Sequence, residues 1–283
     1  MMKRIVQYMI LLTVSISGAL YLQSCGDDDE KTAPMVLVVA ERNTGKVFTV
    51  NNTTGAKTEV GEVMFNSAPL TNIRGMIYSS ADEKVFASTT DNGGGKFYSI
   101  DTEGVATLLD GNVDGEWYGV ADLLMTSDNK VLAILWFKSN SVVGEGPGLQ
   151  TWGTTGTPSN QHLFTDDNVC CGLGMVYGTS NNQLLIASYG LEIYTSDLNG
   201  NNELLTSLTP EGFDEGDVFD LYIQNMVKDS RGTIYAIVYD DVKENTYLAE
   251  VNITDETISM IGQINSGDNN RYHGLMFMPG DLL

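Results

Sequence analysis

GMVYGTSNNQLLIASYGLEIYTSDLNGNNELLTSL, Gly174 to Leu208, reads as four short strands in a row. GMVYG is an apolar run closed by TSNNQ, and LLIAS is a second closed by Tyr189-Gly190. EIYTSD is a third, ended by the turn at Asn199-Gly200, and ELLTSL is the fourth. Runs this short, rich in β-branched and aromatic residues and punctuated by Gly, Asn and Asp, are strands rather than helices.

The unit recurs. GMIYSSADEKVFAS from Gly75 aligns without a gap with GMVYGTSNNQLLIA from Gly174. ADLLMTSDNKVLAI from Ala121, QNMVKDSRGTIYAI from Gln224 and GLMFMPGD from Gly274 are further copies. Starts roughly 50 residues apart match the period of a four-stranded propeller blade. The second half of the unit repeats too, as strand, polar turn, strand: GKVFTVNNTTGAKTEVG from Gly45, GKFYSIDTEGVATLLDG from Gly95 and NTYLAEVNITDETISMIG from Asn245. The C-terminal copy stops after its first strand, whereas the N-terminal copy from Met35 lacks only a first strand. Joined, they make one blade and leave no open edge to aggregate. The expectation is an all-β, five-bladed β-propeller over Met35–Leu283, closed by pairing its two ends; the alternative is six blades, if the long third blade hides one.

Residues 1–24 read as a secretory signal peptide: Lys3 and Arg4 precede an apolar run from Ile5 to Leu22. As a transmembrane anchor the run is marginal in length, and no basic stop follows it. Leu22-Gln23-Ser24-Cys25 resembles a bacterial lipobox, which implies lipidation of Cys25. The acidic Gly26-Asp27-Asp28-Asp29-Glu30 resembles the surface-export tether of Bacteroidetes lipoproteins, so 25–34 is expected to be a tether. The expected location is the outer membrane, on the cell surface or facing the periplasm, with the membrane a partner through the lipid. The chain has 15 basic against 37 acidic residues and a net charge of -22, which argues against nucleic acid as a partner.

No His-Glu-x-x-His, Gly-x-Ser-x-Gly or phosphate-loop motif is present, and the only histidines, His162 and His273, cannot make a multi-histidine metal centre. Loops that join the last strand of one blade to the first of the next gather at one mouth of a propeller. Here they are NSAPLTNIR, DGNVDGEWY, TDDNVCC, TPEGFDEGDVFDLY and NSGDNNRYH, mostly acidic and aromatic. They supply the candidate ligand residues Trp117, Tyr118, Phe213, Asp217, Asp220, Tyr222, Arg271, Tyr272 and His273. Asp110-Gly-Asn112-Val-Asp114-Gly reads as the opening half of a calcium loop, with Glu116 as a further oxygen donor. The plain alternative is an acidic, glycine-rich turn. Cys170 and Cys171 are neighbours, either a strained vicinal disulfide or two small buried thiols. Met76, Met125, Met175, Met226, Met276 and Met278 fall in first strands and read as packing between blades. After Trp136, a Gly-, Ser- and Thr-rich stretch running past Trp152 is either a long loop or an extended hairpin.

The strand, Asp-x-x-Gly turn, strand pattern is similar to bacterial propellers of the SMP-30/NHL-like and YncE-like type. SMP-30 hydrolases hold a divalent metal on carboxylates and amides in the channel, so the resemblance implies a lactonase or other hydrolase as one reading. The reading preferred from the residues is a binding or recognition module for a glycan, a peptide or a partner protein, because aromatics interleaved with Asp and Asn suit stacking plus hydrogen bonding. A structural spacer is a third reading.

Overall fold

The computed structural model describes residues 33–91, 94–111, 117–141, 144–166, 169, 173–213, 220–265 and 270–283. Its described compact unit is Pro34–Leu283. Strands β1 (Met35–Glu41), β2 (Lys46–Val50) and β3 (Lys57–Glu62) are followed by a small hairpin, β4 (Met64–Phe65) and β5 (Ala68–Pro69). Then come β6 (Ile73–Ser79), β7 (Lys84–Asp91), β8 (Gly94–Ile100) and β9 (Ala106–Gly111). The next blade is β10 (Trp117–Met125), β11 (Val131–Ser141), β12 (Gly144–Trp152) and β13 (Pro158–Leu163). β14 (Gly174–Tyr177), β15 (Gln183–Ala187), β16 (Glu192–Asp197) and β17 (Asn202–Ser207) are the four runs of the opening stretch. β18 (Thr209–Glu211) leads to β19 (Leu221–Lys228), β20 (Ile234–Asp240), β21 (Asn245–Asn252), β22 (Thr257–Gln263) and finally β23 (Tyr272–Pro279).

These strands form five blades. Four are consecutive antiparallel meanders, β6–β9, β10–β13, β14–β17 and β19–β22, the last extended at its outer edge by β18. The fifth has the order β23-β1-β2-β3, with Val36 opposite Met278 and Leu37 opposite Phe277. The C-terminal strand is therefore the inner strand of the N-terminal blade, and the ring closes with five blades rather than six.

Burial explains why the strands read as near-continuous apolar runs. Both faces of a blade are covered by its neighbours, so alternate residues point into different interfaces. On β1, Leu37 and Val39 join a cluster with Tyr235, Ile237 and Leu248, while Val38 and Ala40 join another with Ile73, Met76 and Ala87. Each interface between neighbouring blades has one such cluster, five in all. Met76, Met175, Met226, Met276 and Met278 are buried in them, and half-buried Met125 packs against one. The Gly-rich stretch of the third blade resolves as an extended hairpin, β11 and β12. Trp152 closes it by stacking on Phe97 at 5.2 Å, with Phe86 stacked beyond at 5.6 Å.

The inner strands share a feature the sequence did not announce. Pairing skips Arg74 on β6, Ala121 on β10 and Gln224 on β19, and one residue on β23 between His273 and Met276. Each skip is a β-bulge, which twists the strand and re-aims a side chain. The bulges sit where the blades converge, and there is no room for side chains against the neighbouring strand. A Cβ on Gly75 would come within 2.9 Å of Leu123 Cγ, and one on Gly274, at φ +68, within 2.7 Å of Met76 Cγ. That steric limit is why the repeat begins with Gly in three of its copies.

Candidate functional site

At the axis the ring is closed by two side chains. Asp122, fully buried, accepts four N–H bonds: from Leu123 N (2.9 Å) and Asn225 Nδ2 (3.0 Å) on Oδ1, and from Met175 N (3.0 Å) and Met226 N (3.3 Å) on Oδ2. Asn225, also fully buried, donates to Arg74 O (2.9 Å) and Ala121 O (3.4 Å) and accepts from Gly274 N (2.9 Å). Together the pair reaches β6, β10, β14, β19 and β23, the inner strand of every blade. Burial pushes the Asp122 carboxyl up to about 8, against the opposing pull of its N–H donors. Both oxygens of this carboxylate are already occupied by donors, so the described axial residues do not fit a divalent cation.

One step outward, at the end where the inner strands begin, a basic cluster lies over this floor. The bulged Arg74 and Gln224 meet, with Arg74 Nη1 at 3.5 Å from Gln224 Oε1 and 3.4 Å from His273 Nε2. A guanidinium only donates, so Nε2 of His273 is an acceptor and its proton is on Nδ1. Burial, then the charges of Arg74, Arg42 and Arg271, lower the His273 pKa well below its ordinary value, and the ring is neutral. Arg42 follows β1 directly; its N–H donates to Arg271 O (2.9 Å), and its carbonyl accepts from Asn72 N (2.6 Å). The Arg42 guanidinium is lowered by burial and by the nearby Arg271. Arg271 pairs with Asp241 at 3.1 Å and lies over the Tyr239 ring at 4.0 Å. Arg42, Arg74 and Arg271 are three of the five arginines in the chain. Beside Arg74 is a small cavity of about 10 Å³, lined by Arg74, Thr90, Gln224 and His273 together with Gly119, Val120, Ala121 and Leu173. That is room for about one water.

Arg271 and His273 belong to the cluster. Asp220, half-buried, accepts the Asp241 amide through its carbonyl (3.0 Å). The Tyr222 hydroxyl is raised by burial and then by Asp241 and Asp220, which places it on the same rim. Tyr272 is a correction: it is 1% exposed, packs edge-on against Phe48 at 5.7 Å, and its hydroxyl donates to Glu41 (3.1 Å). Strand alternation turns it into the blade interface when its neighbour His273 faces the axis. Phe213 is likewise a packing residue, edge-on to Tyr247 at 5.5 Å on the third strand of its blade. Asp110 accepts from Trp152 Nε1 at 2.9 Å, a bond across neighbouring blades. Asn112, Asp114, Glu116, Cys25, Cys170, Cys171 and Asp217 lie outside the described residues, as do the side chains of Trp117 and Tyr118. Among the described residues no group of three or more His, Cys, Asp or Glu could hold a metal ion.

An apolar cleft of about 180 Å³ lies elsewhere, between the closing blade and β6–β9, lined by Val47, Val63, Met76, Ile100 and Met278. Its acidic members, Glu62, Asp101 and Glu103, are exposed turn and edge residues that do not converge. The mouth, where Arg74, Gln224 and His273 converge, is therefore the better candidate.

No protein-family model matches the chain, and neither does any curated protein. Solved structures do. One from the nidogen/laminin complex is 12% identical, covers 86% of this chain and 98% of its own, and has a TM-score of 0.51. A putative gluconolactonase is 11% identical over 83% of this chain and 79% of its own, with a TM-score of 0.48. A gluconolactonase from Xanthomonas campestris is 11% identical over 76% of this chain and 80% of its own, with a TM-score of 0.45. At 12% identity the likeness to the nidogen/laminin structure is one of fold alone.

Proposed function

We propose that the chain is an exported, lipid-anchored binding module that recognises a glycan, a peptide or a partner protein through the mouth where its inner strands begin. The observation that carries this reading is the convergence of Arg74, Gln224 and His273 on one small recess over a closed floor, with the Arg42 and Arg271 segments bonded to each other beside it. Bulges on a rigid scaffold re-aim side chains at such places. A lactonase of the metal-dependent kind needs free oxygens at the axis, and Asp122 spends its own on the blades. The lipid anchor rests on the Lys3-Arg4 start, the apolar run and Cys25. No helix among the described residues is long and apolar enough to cross a membrane.

The test is an array of glycans and peptides probed with purified protein and with the Arg74→Gln variant. The expected result is a defined set of ligands bound by the wild type and lost in the variant. Equal binding by both would contradict the mouth as the site.

A further inference from the structure

We propose that the apolar cleft between the closing blade and β6–β9 is a second binding site, for a small cationic amphiphile: an apolar group of about six carbons that carries one ammonium. None of its lining residues belongs to the mouth.

Size and lining select the apolar part. The cleft has room of about 180 Å³. A cavity of about 150 Å³ lined by Leu, Ile and Phe takes up benzene, so one ring or a short alkyl chain fits here. The inner lining is buried Met76, Ile100, Met276 and Met278, with half-buried Val85 and Leu282 nearer to solvent. Methionine is unbranched and polarizable, and it adapts to irregular guests. Val60 and Leu283 also line the cleft, and they are two of the eight large apolar side chains that stand exposed among the described residues. Apolar surface left open around a concave pocket marks a place for an apolar guest.

Charge selects the head group. Glu62, Asp101 and Glu103 line the cleft, and no Lys, Arg or His does. Lys46 stands opposite Glu62 across β2 and β3 but pairs with Glu59 at 2.9 Å. Asp101 Oδ1 accepts from Glu103 N (3.0 Å) and Val105 N (2.9 Å), which fixes the turn that carries two of the three acids. An anionic guest would be repelled here, and a neutral one would gain nothing from the field. Because the three carboxylates do not converge, they suit a monovalent ammonium that keeps part of its water, and not a bare metal ion. The head group stays at the opening while the tail is buried, as a lysine side chain does on an apolar surface.

Methyl NMR of the full-length protein, isotopically labelled at its methionine methyls, tests this with n-hexylammonium, 1-hexanol and hexanoate as probes. The three share one tail and differ in the head group. Hexylammonium should shift the Met276 and Met278 methyls with half-saturation at about 1–10 mM, and leave Met175 and Met226, in other blade interfaces, unchanged. Hexanol should shift the same methyls with about 3- to 10-fold weaker affinity at low salt, and hexanoate should be weaker still. The preference for the cation should shrink in about 0.5 M salt. The double variant Glu62→Gln, Glu103→Gln changes only exposed side chains and should lose most of that preference. No shift with hexylammonium, equal affinity for all three probes, or shifts at Met175 and Met226 as large as those at Met276 and Met278 would overturn the assignment. So would a preference for hexylammonium that survives undiminished in the double variant.

Discussion

Replacing Asp122 by Ala would leave the amides of Leu123, Met175 and Met226 without their acceptor and remove one acceptor of the Asn225 side chain, all of them buried at the axis. Unpaired buried donors of this kind cost about 3 kcal/mol or more together, and the expected result is a large fall in melting temperature. Asp122→Asn asks a finer question. Burial raises the Asp122 pKa to about 8, so between the unfolded value near 3.8 and pH 8 the native state keeps a proton that the unfolded chain has lost. Its contribution to stability therefore falls as pH rises through that window. The neutral amide does not titrate, so the wild type should lose ground to Asp122→Asn from pH 4 to pH 8. His273, with its lowered pKa, has the opposite slope below about 6.5 and is common to both proteins. A wild type that gains on the variant as pH rises would mean that the four N–H donors outweigh burial and that the clasp is ionised.

At the scale of elements, the closing strand is the one to remove. Deleting Met278–Leu283 takes away the pairs Val36–Met278 and Met35–Pro279 and strips Met278 and Leu282 from the cluster shared with β6–β9. Loss of that burial is worth about 3 kcal/mol, or a melting temperature lower by about 10 °C, with a gain in protease sensitivity. A truncation that melts like the full chain would contradict closure by β23. The strands, their period and this closure could all be read from the sequence, because apolar runs and Gly-Asn-Asp turns are local signals. The bulges could not. A one-residue skip in pairing depends on the neighbouring strand, and it is the bulge that turns Arg74 and Gln224 from strand positions into mouth residues. Asp122 was hidden in the same way: within ADLLMTSDNKVLAI it reads as one more acid in an acidic chain, and only convergence of the blades places it on the axis. The clearest available hint was the scarcity of arginine, which makes Arg42, Arg74 and Arg271 informative once the topology brings their segments together. Tyr272 misled because proximity in sequence to His273 is not proximity in facing.

For the whole molecule, a local basic cluster stands against a global charge of -22. The acidic surface repels other anionic surfaces, while the recess offers a short-range, desolvated exception. The ring itself is rigid: five buried clusters lie between the blades and one polar clasp lies at their centre. Binding should therefore quiet the mouth without remodelling the blades. Hydrogen–deuterium exchange of the protein, with and without the tightest ligand from the array, measures this directly. Added protection is expected around Arg42, Ile73–Gly75, Leu221–Asn225 and Arg271–Gly274, with no change in the opposite turns at Asp82, Asp128 and Asp229. Protection confined to those opposite turns or to the outer strands, with the inner-strand starts unchanged, would contradict it.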